Sequence, residues 1–255
     1  MEISFIYAIM CLMRSVIMRF IHCADIHLDS KMETNLSSPK AKERKKEILN
    51  TFERMVAYAT ENDVKAIIIA GDMFDTARIT NITKTRVLNA ISKNPNIDFL
   101  YLSGNHDESS FISLIEDVPK NLKIFGNKWT TFEYGNIKIT GVCLNENNSA
   151  TIYDTINLGS NDINIVVMHG QISKHNSKEK GEIINLTKLK NKNIDYLALG
   201  HIHSYIQDKL DKRGVYCYSG CLEGRGFDEC GDKGFVLLET DNDKVLTKFI
   251  PFAKR

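Results

Sequence analysis

The sequence predicts an α/β fold: two mixed β-sheets packed face to face, with α-helices flanking them. Three observations predict it. Five short apolar runs, Arg19–Cys23, Ala66–Ala70, Phe99–Leu102, Ile163–Met168 and Tyr196–Leu199, end at Gly, Asp or small polar residues and read as buried strands. Amphipathic segments separate the first three runs, so the chain opens as a βαβαβ unit with parallel strands and right-handed crossovers. After Pro119 the texture changes to shorter segments joined by turn signals, which suit antiparallel strands.

Taken in order, Arg19–Cys23 is a strand and Asp25–Ser38 a loop. Lys40–Asn62 is a long helix, because Ile48, Phe52, Met55, Val56 and Ala59 form one apolar face. Ala66–Ala70 is a strand, Asn81–Ser92 a helix and Ile97–Leu102 a strand. Trp129–Tyr134, Ile137–Val142, Val215–Tyr218, Phe235–Glu239 and Lys244–Ile250 are the later strand candidates. Tyr134-Gly135-Asn136-Ile137 and Asp241-Asn242-Asp243-Lys244 supply hairpin-type turns.

The 255 residues suffice for one large α/β domain or two small ones. With 43% hydrophobic and 25% charged residues, the composition is that of an ordinary soluble protein. A formal net charge of +1 gives no whole-molecule field that would draw in nucleic acid. The cysteines at 11, 23, 143, 217, 221 and 230 lack the paired short spacing of a structural zinc site. They read as reduced packing thiols of a cytoplasmic protein. Ile3–Met18 is apolar apart from Ser4, Arg14 and Ser15. It lacks the leading positive charge of a signal peptide and is short of the roughly 20 residues of a membrane span. Residues 1–17 are therefore read as an extension before a natural start at Met18, with a signal, an anchor or an extra helix as alternatives; no membrane association is expected.

The chemistry sits at the strand ends. The clusters Asp25-Ile26-His27, Gly71-Asp72, Gly104-Asn105-His106-Asp107, Met168-His169-Gly170 and Gly200-His201-Ile202-His203 each follow one of the five apolar runs. In α/β folds such positions converge beyond the carboxyl ends of the strands. Imidazole and oxygen donors without thiolates suit Mn, Fe, Zn or a similar first-row ion better than Ca. Asp72 can bridge two ions, since a carboxylate has two oxygens. Asp25 and His27 can turn to one ion; His201 and His203 can each serve one; Asn105 offers an amide oxygen and His169 an imidazole. Two ions about 3.5–4 Å apart would hold a hydroxide between them and clamp a phosphate. His106 is placed to protonate the leaving oxygen or to stabilise developing charge, and Asp107 to orient it. Asp75 and Arg225 are candidates for substrate contact, Asp75 alternatively touching water beyond the ligands or serving as a cap, and Arg225 being otherwise a surface turn residue. His22 and His175 read as structural or surface residues, Asp29 as a turn residue and Tyr205 as packing. The basic stretches Lys40–Lys46 and Lys174–Lys192 carry interleaved acids and read as solvated faces.

These residues, in this order, resemble the calcineurin-like metallophosphoesterase superfamily over most of Met18–Pro251. The resemblance implies a four-layer sandwich spanning 18–255. It implies one ion held by Asp25, His27, Asp72 and His203 and a second held by Asp72, Asn105, His169 and His201. Mn²⁺ is the first choice, with Fe, Zn, Co and Ni as alternatives. Ile21-His-Cys-Ala-Asp-Ile-His-Leu-Asp29, Ala70-Gly-Asp-Met-Phe-Asp75, Tyr218-Ser-Gly-Cys221, Gly226-Phe-Asp-Glu229 and Lys233-Gly-Phe235 resemble the narrower SbcD-like branch of DNA-repair nucleases. That branch implies a manganese-dependent exonuclease or endonuclease acting on DNA, a homodimer among its assemblies and an SMC-like ATPase partner of the SbcC type. The family usually continues into a DNA-selecting cap and an ATPase-binding region beyond the length of this chain, so the ATPase is a less expected partner than DNA. The segment Gly220–Glu229 also departs from a full-length SbcD. The alternative function is a phosphoesterase for a small substrate such as a nucleotide or cyclic nucleotide.

Overall fold

The computed structural model describes residues 17–32, 37–75, 79–104, 110–172, 183–226, 229–241 and 244–254. The proposed extension 1–17 lies almost entirely outside them, as do Asn105, His106, Asp107 and His175. Strands β1 (Met18–Cys23), β2 (Val64–Ala70), β3 (Asp98–Leu102), β4 (Leu122–Ile124), β13 (Gly234–Asp241) and β14 (Lys244–Pro251) form one sheet, in the order β14-β13-β1-β2-β3-β4. Strands β5 (Thr130–Tyr134), β6 (Ile137–Gly141), β7 (Ile163–His169), β10 (Tyr196–Gly200), β11 (Ile206–Lys209) and β12 (Val215–Tyr218) form the other, in the order β11-β12-β10-β7-β6-β5. A two-stranded ribbon, β8 (Gln171–Ile172) with β9 (Ile183–Ile184), completes the set.

Both sheets are mixed, as expected: the turn-joined later strands β5–β6, β11–β12 and β13–β14 are antiparallel, as read from the sequence, and two of them also gain parallel neighbours. β6 is antiparallel to β5 and parallel to β7; β12 is antiparallel to β11 and parallel to β10. The hairpin partners are antiparallel because a short turn reverses the chain, while β7 and β10 reach their parallel neighbours by crossovers; β13 also lies antiparallel to β1, from the far end of the chain. The edge strand β4 is only three residues long, too short for a period-2 pattern to reveal.

The alternation of side chains sets the layers. Phe20 and Ala24, Ala66, Ile68 and Ala70, Ile165 and Val167, and Tyr196 and Ala198 all point into the core between the sheets. On the opposite face of the first sheet, Ile21, Ile67, Ile69 and Phe99 meet the helices. There helix α1 (Ser38–Glu61) buries Ile48, Phe52, Met55, Val56 and Ala59, the face expected from its periodicity. Pro39 stands in the first turn of α1, where its missing N–H costs nothing. Helix α2 (Asn81–Ser92) is capped by the Thr80 side chain, which accepts from the Thr83 N–H. Asp29 ties that cap to the first loop, accepting from the Thr80 N–H at 2.7 Å and from Thr83 Oγ1 at 2.9 Å. The outer face of the second sheet carries its own core of Val166, Met168, Leu197 and Leu199. Each central strand is thus buried on both faces, which is why the five runs are almost wholly apolar. Among the described residues no helix is long and apolar enough to cross a bilayer.

Candidate metal centre

The carboxyl ends of β1, β2, β7 and β10 open on one side of the sandwich, and four of the five polar clusters meet there. The exits of β1 and β2 run side by side. Asp25 N–H donates to Gly71 O at 3.1 Å, His27 N–H to Asp72 O at 3.0 Å and Leu28 N–H to Met73 O at 2.9 Å. These bonds hold backbone that would otherwise be unfavourable: Asp25, His27, Asp72 and His201 have φ of 51°, 50°, 52° and 101°. Positive φ in non-glycine residues is uncommon and collects at functional sites.

Glycine is required where strands approach ligands. At Gly71, with φ of 91°, a Cβ would overlap the His169 ring. At Gly104 it would overlap Oδ1 of Asp72. The end of β3 therefore reaches the cluster at Gly104, immediately before Asn105, His106 and Asp107, which lie outside the described residues.

Asp25, His27 and Asp72 are each 1% exposed and His169 is 5% exposed. Donor atoms of Asp25, His27 and His203 lie within 4.8 Å of one another, and so do those of Asp25, Asp72 and His169. Asp25 belongs to both groups. Asp72 Oδ2 stands between them, 3.9 Å from His27 Nε2 and 3.4 Å from His169 Nε2. The His201 N–H donates to Asp25 Oδ1 at 2.9 Å and Oδ2 at 3.1 Å, and the His201 ring lies edge-on to that of His169 at 5.5 Å.

The donor set fits divalent ions. Two buried carboxylates side by side are costly without compensating positive charge, and the His169 imidazole feels their field. Burial opposes its protonation, but Asp72 and then Asp25 outweigh burial and lift it to about 9. His201 is moved down, by burial and by the neighbouring His169. His27 Nε2 and His203 Nε2 face each other at 3.1 Å while each Nδ1 contacts a carboxylate, Asp75 at 3.0 Å and Glu229 at 2.6 Å. With both Nδ1–H groups donated, two lone pairs converge, an arrangement that calls for a cation between them.

Asp75 and Arg225, the candidates for substrate contact, also meet the histidine cluster: Asp75 at His27 Nδ1, and Arg225 at Asp75 and Glu229. Burial works to raise the Asp75 carboxyl, but hydrogen bonds from His27 and Ser30 and the charge of Arg225 bring it down to about 2. Glu229, in which the sequence showed no site role, is likewise held well below the usual carboxylate range, His203 and Arg225 outweighing burial. No local pattern marks Glu229, since it reaches His203 from 26 positions away. His22 is buried between the sheets with Nδ1 at 2.8 Å from the Tyr196 hydroxyl, the structural place expected of it. Tyr205 stacks on Phe249 at 4.5 Å.

Residues 18–205 match a family model described as calcineurin-like phosphoesterase. Over 91% of its length the chain is 25% identical to the DNA double-strand break repair protein Mre11 of Sulfolobus acidocaldarius, covering 63% of that protein. Over 90% of its length it is 26% identical to the uncharacterized metallophosphoesterase YhaO of Bacillus subtilis, covering 59% of it. The chain thus spans about three fifths of the length of these curated relatives. Among solved structures it resembles a purple acid phosphatase from yellow lupin seeds, with a TM-score of 0.58 and 14% identity over 92% of this chain and 51% of that one. It also resembles a dimetal phosphatase from Danio rerio, with a TM-score of 0.55 and 11% identity over 92% of this chain and 99% of that one. These structures share its fold.

Proposed function

The chain belongs to the calcineurin-like phosphoesterase family, and from that membership we propose that it is a manganese-dependent phosphodiesterase that cleaves DNA, as an exonuclease or endonuclease of DNA repair. The observation that carries the reading is the convergence of buried Asp25, His27, Asp72 and His169 with half-buried His203 at the carboxyl ends of four strands. Divalent ions held there would supply a water made nucleophilic near neutral pH and would neutralise charge on a phosphodiester. Asp25, His27, Asp72 and His203 would hold one ion; Asp72, His169, His201 and Asn105 would hold the other. His106 protonates the leaving oxygen and Asp107 orients it. Support for DNA comes from the SbcD-like segments and from relatives whose names describe DNA double-strand break repair proteins.

A net charge of +1 favours a second reading, a phosphoesterase for a nucleotide or another small phosphate ester. The test offers the full chain, with Mn²⁺ and with a chelator, end-labelled double-stranded DNA, single-stranded DNA and a chromogenic bis-aryl phosphodiester. Chelator-sensitive shortening of DNA is the expected result. Diester hydrolysis with both DNAs intact would transfer the assignment to the small-substrate reading.

A further inference from the structure

The two groups of donors are supported from behind in different ways. His169 Nδ1 meets a main-chain acceptor, Ala70 O, at 2.9 Å. His27 and His203 instead meet carboxylates, and those carboxylates are joined. Arg225 Nε and Nη2 each donate to Glu229 Oε1 at 3.2 Å, and Arg225 Nη1 donates to Asp75 Oδ1 at 3.4 Å. Glu229 Oε2 accepts the Arg225 main-chain N–H at 2.7 Å. Arg225 Nη2 also lies 3.2 Å from His203 Nδ1. Both are donors in this arrangement, and Glu229 Oε1 is the acceptor they share. The result is one continuous chain of contacts: His27, Asp75, Arg225, Glu229, His203.

The loop that carries Arg225 and Glu229 is itself fastened. Glu223, fully buried, accepts from Arg44 Nη2 and Thr51 Oγ1 of α1, both at 2.9 Å, and from the Lys254 N–H at 3.0 Å. Arg44 Nε donates to Gly224 O at 2.9 Å. On the other side Lys233 Nζ, almost fully buried, donates to His203 O at 2.8 Å. Held at both ends, the loop sets the place of Glu229 relative to the His203 ring.

We propose that Asp75, Arg225 and Glu229 are positioning residues that fix His27 and His203 as Nδ1–H tautomers and aim both Nε2 atoms at one ion, so that this ion alone depends on the 220–233 loop. An imidazole coordinates through the nitrogen that lacks the proton, and an outer carboxylate settles which nitrogen that is. Arg225 bridges the two carboxylates and holds them at a set separation, which a pair of independent contacts would not do. At the other group of donors, His169 Nδ1 meets the Ala70 carbonyl, a main-chain acceptor outside the 220–233 loop. The proposal rests on the two-ion reading above, but its first test does not.

In the metal-free full chain, long-range ¹H–¹⁵N spectra of the imidazoles should show His27 and His203 as Nδ1–H tautomers. Glu229→Ala should shift His203 toward the Nε2–H form and leave His169 unchanged, with Glu229→Gln, which keeps an acceptor, restoring the wild-type form in part. In calorimetric titration with Mn²⁺, wild type should take two equivalents. Glu229→Ala should weaken one of them ten- to a hundredfold and leave the other unchanged. Arg225→Met, at a side chain one quarter exposed, decides the matter if Glu229→Ala unfolds, and should weaken the same equivalent. An unshifted His203 tautomer, or equal weakening of both equivalents, overturns the proposal. A wild type that binds one ion overturns the two-ion reading instead; the relay then stands only if that ion weakens in Glu229→Ala together with the tautomer shift.

Discussion

His27 Nε2 and His203 Nε2 stand 3.1 Å apart, although 176 positions separate them in the chain. One follows β1 in the first sheet and the other follows β10 in the second, so the contact joins the two halves of the sandwich. A cation between them therefore ties sheet to sheet. Mn²⁺ should raise the thermal unfolding temperature, and a chelator should return it to the metal-free value. At a hundredfold excess over Kd each site contributes about 2.7 kcal/mol, or several degrees for a chain of this size. Calorimetric scans with and without chelator measure it; an unchanged melting temperature would mean that no ion binds the folded state.

Asp72 Oδ2 lies within 4 Å of an imidazole from each group. Asp72→Asn removes the charge from a place shared by both ions and is expected to release both together. Metal analysis after gel filtration reads the result, and retention of one full equivalent would show that Asp72 serves a single ion.

His106→Ala separates catalysis from metal binding. The variant should keep its metal content and lose about 10²- to 10⁴-fold in turnover, the range for removal of a general acid. A drop in metal content would make His106 a ligand.

Gly71→Ala should displace the His169 ring, since the added methyl has no room there and φ is 91°. The strain and the clash should together cost about 1–3 kcal/mol. Denaturant unfolding of the metal-free chain measures the cost, and loss of one Mn²⁺ equivalent should accompany it. A variant with unchanged stability and full metal would show that the β2–β7 approach can widen freely.

His22 is fully buried, and burial, only partly offset by the Leu199 carbonyl, lowers its pKa to about 3 from an ordinary 6.5. The folded value lies below the unfolded one, so the unfolded chain binds the extra proton. Stability from neutral His22 is complete above about pH 6.5 and is lost as pH falls toward 3, at up to about 1.4 kcal/mol per pH unit. His22→Leu should flatten the stability profile across this window by close to one proton. An unchanged slope would mean that the acid sensitivity belongs to other groups.

Several features were legible in the sequence because they are local. Apolar runs bounded by Gly and Asp mark the central strands, and the 3.6-residue period marks the buried face of α1 at Ile48, Phe52, Met55 and Val56. The polar clusters are legible too, because the side chains that converge stand immediately after those runs. Edge pairing was not legible: β4 has three residues, and the parallel neighbours of β6 and β12 are reached through long crossovers that leave no periodic trace.

By itself, then, the sequence determined which strands are central, which donors sit at their ends and which chemistry those donors suit. Only the tertiary structure decided what holds the donors in place. Arg225 meets Asp75 across 150 positions, and Glu229 meets His203 only because a loop fastened at Glu223 and Lys233 folds back over the strand ends. Hydrogen bonds act over about 3 Å of space and carry no memory of chain distance. A carboxylate that orients a ligand and one that merely caps a turn are the same letter until the backbone brings one of them to an imidazole.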